Sequence, residues 1–550
     1  MLKPQSNLLR TRKKSKKSSY VAVCLIAVSL ACSNNSVFAN PEGEDHVVLS
    51  TKRPDAASYG GISAAEKLKP VRAGRHLERW YPADSAIESG ELSGKERPGP
   101  RDISNIVSAQ NGLVTRNSNG ASDILWSWGQ FIDHDIVLTR EGTRVVNIDA
   151  TGDEHRFSRT GSRRNHISYA RSRTVKDRSG HRAQINDQTP AIDGSMVYGT
   201  SREQNLNLRR RGYGKMRLTR SGYLLRDSQH QVLAGDRRAA EQPGLLALHT
   251  LFVREHNRLA PDVYEADKSQ TNDDVFAATS RLVIHRIQAI TYNEFLPLLV
   301  GAERANPDNH DFGTEPLNGV IGNEFATAAF RLGHTLVSQQ LPVKKADGSL
   351  ELFPLNELFF KPEFTREHGV SAILAGQSEQ TAQKVDPMVV DSLRNLLIGS
   401  PNVREKLDLV SLNIQRGRDH NLPSYNEMRV YAGLEPVENF DDPVFQDAFK
   451  AKLAEAYDDV DAIDTWVGGL SEKAAEASML GETFTRIVAR QFALLAHADP
   501  NFYKYTASPD ELDVLENLTL ADIVRANDPD VVIDDTMFIA TDGISPTPTN

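Results

Sequence analysis

Cysteine is almost missing from this chain. Cys24 and Cys32 are the only two, both within the first 39 residues. The rest can therefore form no disulfide, bind no haem through thiolate, and build no cysteine-based zinc or iron–sulfur centre. It also rules out a disulfide-linked partner. Long hydrophobic runs are lacking too: the longest, Tyr20–Ala31, falls short of the roughly 20 apolar residues a membrane helix needs, so no span is expected. No internal repeat, long linker or low-complexity spacer is visible, which favours one large domain over an array. Nor does the body hold an excess of positive charge. The formal net charge is −9 even though Lys3, Arg10, Arg12, Lys13, Lys14, Lys16 and Lys17 crowd an N-terminal stretch with no acid. An acidic body argues against a nucleic-acid partner.

What is present is ordinary globular composition: 550 residues, 39% hydrophobic, 25% charged and 7% aromatic. The basic stretch, the short apolar run and the small-x-small Val37-Phe38-Ala39 predict a cleaved secretory signal over 1–39. Cys32 would serve a lipoprotein, but Ser29-Leu30-Ala31 matches the usual preceding run poorly. Residues 40–59 read as a polar arm and 545–550 as a frayed tail. Between them, helical apolar spacing is expected around 121–135, 244–263, 273–299, 322–338, 385–398, 442–457 and 482–497. Strand-like alternation is brief, at Gly222-Tyr-Leu-Leu225 and Gln231-Val-Leu233. The Arg-, Ser- and Gly-rich 138–182 reads as a long excursion between helices.

Four segments carry candidate chemistry. In Trp128-Gly-Gln130-Phe-Ile-Asp133-His134-Asp135, helical spacing puts Gln130, Asp133 and His134 on one face, while Asp135 turns about 100° away. Two acids near a helix C-terminus oppose its dipole, at roughly 0.3–1 kcal/mol each, so a compensating cation or covalent partner is expected. The bland alternative is an acidic pair that ends a helix beside a solvated histidine. Next, Gly235-Asp-Arg-Arg238-Ala-Ala-Glu241-Gln242-Pro243 leads into a helix holding Arg254-Glu255-His256-Asn257. Pro243 suits a helix start, and an Arg238–Glu241 ion pair would be the plain explanation. The Arg254–Asn257 run lacks the two bracketing histidines of a zinc protease. Third, Arg331-Leu-Gly-His334 lies among small residues that would let a flat, bulky group approach, unless His334 is simply a satisfied core histidine. Last, Asn413-Ile-Gln-Arg416-Gly-Arg-Asp-His420 is either surface loop or buried network.

Taken in order, with Thr189-Pro-Ala191-Ile-Asp193-Gly-Ser195 between the first two, these segments resemble the animal-type haem peroxidases of the peroxidase–cyclooxygenase superfamily. The resemblance runs from about residue 60, through Arg97-Pro-Gly-Pro-Arg-Asp-Ile-Ser-Asn105, to Leu518–Arg525. It implies a mainly α fold, a single large haem peroxidase domain over 60–544 with little β structure, around b-type haem. His334 would be the iron ligand, with Asn413 fixing its other ring nitrogen. Arg331 and Arg416 would pair with the propionates. His134 would be the acid–base group for hydrogen peroxide, Arg238 its partner, and Gln130 would line the distal water and halide position. Asp133 and Glu241 match carboxylates that ester-link to haem. Gln242 stands where one relative has a methionine making a sulfonium link, which implies a milder oxidant. Asp135, Thr189, Ala191 (through its carbonyl), Asp193 and Ser195 match a calcium site. Asn421 replaces a usual glycine, an exchange that a left-handed backbone tolerates.

The resemblance implies an enzyme whose partners are peroxide and small anionic (halide, thiocyanate) or phenolic donors. A fatty-acid dioxygenase of the same fold would need a tyrosine three residues before the proximal histidine, where Arg331 stands. An adhesion or matrix protein that kept the fold would not need an intact set of catalytic positions. A hydrolase using His134 and Asp135 leaves the other motifs unexplained. The basic leader and cysteine-free body fit a bacterial chain exported to periplasm or medium.

Overall fold

Helices begin where the sequence supplies a cap or a proline. In this computed structural model, which describes residues 73–81, 90–158, 162–177, 180–312, 319–400 and 403–540, α1 (Pro100–Val107) has proline in its first turn. The expected leader 1–39, arm 40–59 and tail 545–550 lie outside the described residues. α2 (Ile124–Ile136) is buried on every side except at Gly129 and Gln130, which marks it as a central helix. α3 (Pro243–Ala266) starts on Gln242, whose side-chain oxygen accepts the Gly244 N–H at 2.6 Å. α4 (Asn272–Ile290) opens with a Thr271/Asp274 capping box and runs through a π-helical turn, Thr291–Phe295, into Leu296–Val300. Further on lie α5 (Val370–Glu379), α6 (Leu409–Asp419) and α7 (Glu482–Ala498).

α3 packs against α2, α4 and α5. Trp128 of α2 is the hub of that contact, with ring centroids of Phe131, Phe252 and Phe538 at 5.6, 5.7 and 5.9 Å. Its indole N–H donates to Thr291 in the π-helical turn at 3.3 Å. Burying one such ring stabilises by roughly 1.5–3 kcal/mol. The same apolar cluster extends from Leu77 to Phe538, so α2 is held rigidly from several sides.

The fold is mainly helical, as expected, but its elements differ in four places. Residues 322–338 are not one helix: Asn323–Thr327, the 3₁₀ turn Ala329–Leu332 and Gly333–Leu336 follow one another, with a break at Ala328. Residues 385–398 hold only Asp391–Arg394 as helix; Val389 instead bridges Ala109 in extended form. The 138–182 excursion contains antiparallel strands: β1 (Glu141–Asp149) with β2 (His166–Ser172), and β3 (Thr174–Lys176) with β4 (Arg182–Asn186). The alternation at 222–225 and 231–233 yields no strand, only an isolated bridge between Arg226 and Val232.

Candidate active site

α2 delivers its polar residues into the interior. His134 is 2% exposed and Asp135 wholly buried, which removes the solvated-histidine alternative. His134 Nδ1 has no hydrogen-bond partner and lies 3.8 Å from Asp236; Nε2 lies 3.9 Å from Glu241. Burial, reinforced by the Arg238 charge, keeps this imidazole neutral, well below its usual titration range.

Arg238 pairs not with Glu241 but with Asp236. Its Nε and Nη2 donate to the two carboxylate oxygens at 2.9 Å each, Nη2 also donates to the Val137 carbonyl, and Nη1 faces Asp133 at 3.6 Å. Asp236 in turn accepts from Gln188, which also donates to the His134 carbonyl, both at 2.6 Å. Although burial pushes Asp236 upward, the paired Arg238 guanidinium holds it far below the carboxylate range. Asp236 and Gln188 are the functional residues that sequence reasoning passed over. Asp236 stood in a quoted motif without a role, and Gln188 gave no signal. The loop sits close because Gly235 has no side chain: a Cβ there would lie 2.3 Å from the Ser195 carbonyl.

Glu241 accepts from Gln130 at 3.0 Å, and Gln130 accepts from Gln242 at 3.3 Å. Burial lifts Asp133 and pushes Glu241 up to about 7, partly offset by Arg331 and Arg238 at Asp133 and by Arg238 at Glu241. The broken 322–336 segment brings Arg331 and His334, three apart in tight turns, toward one side. The amide of Asn413, on α6, lies 2.8 Å from His334 Nδ1. The atom in contact is Nδ2; with the amide turned end for end, its oxygen would accept the Nδ1 proton and leave Nε2 a free lone pair. Arg416, one helical turn after Asn413, shares its face of α6. The other face is a buried network, the second of the two alternatives. Arg418 pairs with Asp464 at 2.8 Å, and Asp419 pairs with Arg171 while accepting from Tyr169 and the Ser172 N–H.

These residues fit a haem. Among the described residues, neither Arg331 nor Arg416 has a carboxylate within 4.0 Å, although both are largely shielded from solvent. Two unpaired guanidinium groups suit a dicarboxylate. A Cβ on Gly333 would meet no atom within 4 Å, so the chain stands back from open space beside His334.

The second face of α2 forms a separate cluster. Asp135 accepts from the Gly194 N–H at 3.0 Å, Ser195 Oγ at 2.7 Å and the Met196 N–H at 3.2 Å. Thr189 Oγ1 and the Ser195 N–H donate to Asp193 at 2.8 and 3.0 Å. Gly194 makes this turn in the left-handed region, at φ 70°. Burial and mutual repulsion raise Asp135 far above the carboxylate range, and burial lifts Asp193 to about 6. Two crowded carboxylates with hydroxyl and carbonyl oxygens suit a hard cation. The Arg254–Asn257 run is structural: Glu255 pairs with Arg258 and Arg286, and His256 bonds Tyr198 and the Gly214 carbonyl.

Comparison with known proteins agrees with this geometry. The animal haem peroxidase family model matches residues 69–538. Peroxinectin A of Dictyostelium discoideum is 31% identical over 454 residues, covering 77% of this chain and 84% of that protein. The solved structure of Peroxidase A from Dictyostelium discoideum superposes with a TM-score of 0.72 at 27% identity, over 89% of this chain and 100% of that one. A fatty acid alpha-dioxygenase of Arabidopsis thaliana reaches 0.71 at 19% identity over 91% and 86%, a likeness of fold alone. The chain thus belongs to the animal haem peroxidase family and is a haem peroxidase enzyme.

Proposed function

We propose that this enzyme is exported, to periplasm or medium, and reduces hydrogen peroxide at the expense of halide, thiocyanate or phenolic donors. The observation that carries this reading is the neutral, buried His134 beside an arginine locked by Asp236. His334 would hold haem b, its Nδ1 proton fixed by Asn413, with Arg331 and Arg416 on the propionates. Asp133 and Glu241 would form the ester links, and calcium would be held by Asp135, Thr189, the Ala191 carbonyl, Asp193 and Ser195.

Haem, when bound, supplies the redox centre at which the O–O bond of peroxide is cleaved. His134 Nε2, the nitrogen on the Glu241 side, accepts the proton that peroxide must lose. The same nitrogen returns it to the departing oxygen. Because burial keeps His134 neutral, the base form is available throughout the physiological pH range. Arg238 cannot swing away, so its positive charge stays fixed where negative charge develops. Gln130 ties Glu241 to α2 and keeps the carboxylate in register with His134.

The test is stopped-flow oxidation of haem-loaded protein with one equivalent of peroxide. Return to the resting state is then timed with iodide, bromide, thiocyanate and a phenol. The reading expects fast oxidation and a return accelerated by at least one donor. Haem-loaded protein that does not react with peroxide would refute it.

A further inference from the structure

From Gln204 to Arg226 the chain carries seven cations and no acid, in a protein whose formal net charge is −9. Two of the seven are neutralised: Arg209 pairs with Asp273, and Arg226 with Glu363. Arg210, Arg211, Lys215, Arg217 and Arg220 have no carboxylate within 4.0 Å among the described residues. Of these, Arg211, Arg217 and Arg220 are exposed, and Arg210 and Lys215 half-buried.

The stretch is a built surface. A short helix, Arg202–Leu208, leads into a tight antiparallel return in which Arg209 bridges Met216. The Arg210 N–H donates to the Lys215 carbonyl and the Arg217 N–H to the Leu208 carbonyl, both at 2.8 Å. Arg210 and Lys215 thus stand opposite each other as like charges, an arrangement that costs stability. The return is pinned from beneath: Asn257 of α3 accepts the Met216 N–H at 2.7 Å, and Asn272 of α4 accepts the Gly214 N–H at 2.8 Å. At the tip Tyr213 is 60% exposed, its ring propped edge-on against Tyr264 at 5.5 Å. Its backbone lies in the left-handed region, at φ 56°, which a bulky residue rarely adopts. Leu206, on the short helix, is 51% exposed.

Repelling charges, a strained tyrosine and a bare leucine contribute little to the fold, yet they are held on a rigid support. Arginine, at four of the five unpaired positions, matches phosphate oxygens two at a time. Exposed apolar side chains among the cations favour a bilayer, whose headgroup layer accepts them, over a soluble polyanion. No helix among the described residues is long and apolar enough to cross a membrane, so such contact is peripheral.

We propose that this surface docks the enzyme on anionic phospholipid, with the unpaired arginines on headgroup phosphates and Tyr213 and Leu206 in the headgroup layer. Asn257 lies about 21 Å along α3 from Pro243, so docking leaves the peroxide-handling end of that helix free.

The test is co-sedimentation of the haem-loaded full chain with phosphatidylglycerol-containing vesicles and with pure phosphatidylcholine vesicles. Wild type should bind the first and not the second, and should be released near ~1 M salt, where the screening length falls to about 3 Å. Arg210→Gln/Arg211→Gln/Arg220→Gln should bind about a hundredfold more weakly while its peroxide reaction stays at the wild-type rate. Tyr213→Asn, which tolerates the left-handed backbone, should weaken binding about threefold and leave its salt dependence unchanged. The cations of residues 1–39 are common to every variant, so the differences report on this surface alone. If the triple variant fails to fold, Arg211→Gln alone should show about a fivefold loss. Wild type that ignores anionic vesicles, or binds both kinds equally, would overturn the proposal. So would a triple variant, or Arg211→Gln in its place, that binds as tightly as wild type. Wild type that is captured by heparin but not by vesicles would overturn it too, in favour of an anionic polysaccharide.

Discussion

Replacing Asp236 by asparagine tests the positioning of Arg238 directly. The Asp236 carboxylate accepts the Arg238 backbone N–H at 2.7 Å, its Nε and Nη2 at 2.9 Å, and the Gln188 amide at 2.6 Å, all in the interior. An asparagine keeps the shape but loses the charge and turns one acceptor into a donor facing a guanidinium. Breaking a buried pair of this kind costs about 3–5 kcal/mol. Arg238 is then free to leave the position where it opposes developing negative charge, and loss of one such group slows a reaction by roughly 10²–10³-fold. The assay is the second-order rate of haem-loaded Asp236→Asn with peroxide, alongside its unfolding midpoint in urea. The sign with pH is also fixed. A carboxylate held far below its ordinary value contributes stability that is complete above about pH 4 and is lost only as acid titrates the folded form. The wild-type peroxide step should therefore show no loss from Asp236 protonation between pH 5 and 8. Asp236→Asn that binds haem and reacts with peroxide within twofold of wild type would refute the reasoning.

Other outcomes follow from neighbouring geometry. Glu324 is wholly buried with neither carboxylate oxygen hydrogen-bonded, and burial raises it to about 8. The folded state therefore holds its proton longer than the unfolded chain, and stability should fall as pH rises from about 4.5 to 8. Glu324→Gln should flatten that slope and stabilise at pH 9 by on the order of 3–5 kcal/mol, read from urea midpoints. Chelation should lower the unfolding temperature and calcium should restore it, worth about 3 kcal/mol at a hundredfold excess over Kd; a midpoint indifferent to both would argue against the cluster at Asp135 as a cation site. Gln242 offers no sulfur and is occupied capping α3, so chloride should be a poor donor at neutral pH. Efficient chlorination of a standard acceptor would contradict that.

Much of this was legible because function and periodicity coincide on the same helices. α2, α3 and α7 carry apolar stripes long enough to read, and Pro243 marked its helix start. The proximal segment misled because Ala326, Ala328 and Ala329 fit a continuous helix, whereas the structure breaks at Ala328 and tightens into a 3₁₀ turn. The β1–β2 hairpin hid behind arginine and serine: half of β1 faces solvent, so its alternation carries little apolar signal. At 385–398, Met388, Val389, Val390 and Leu393 mimic a helical face, yet Val389 is a bridge residue and Val390 is extended. Motif order picked out the candidate site residues, but not how they are held. Arg238 and Glu241 suggested each other by spacing, while the structure gives Arg238 to Asp236 and Glu241 to Gln130. Nothing local in the sequence signals a contact such as Gln188 to Asp236, 48 positions apart.

The central claim is that haem lies between two histidines from different segments, with His334 on the iron and His134 free to move protons. Anomalous diffraction at the iron edge from crystals of haem-loaded protein tests this most directly. The account predicts iron bonded to His334 Nε2, with His134 on the opposite face of the porphyrin and not coordinated. Iron bound by any other side chain, or both histidines on one face, would contradict it.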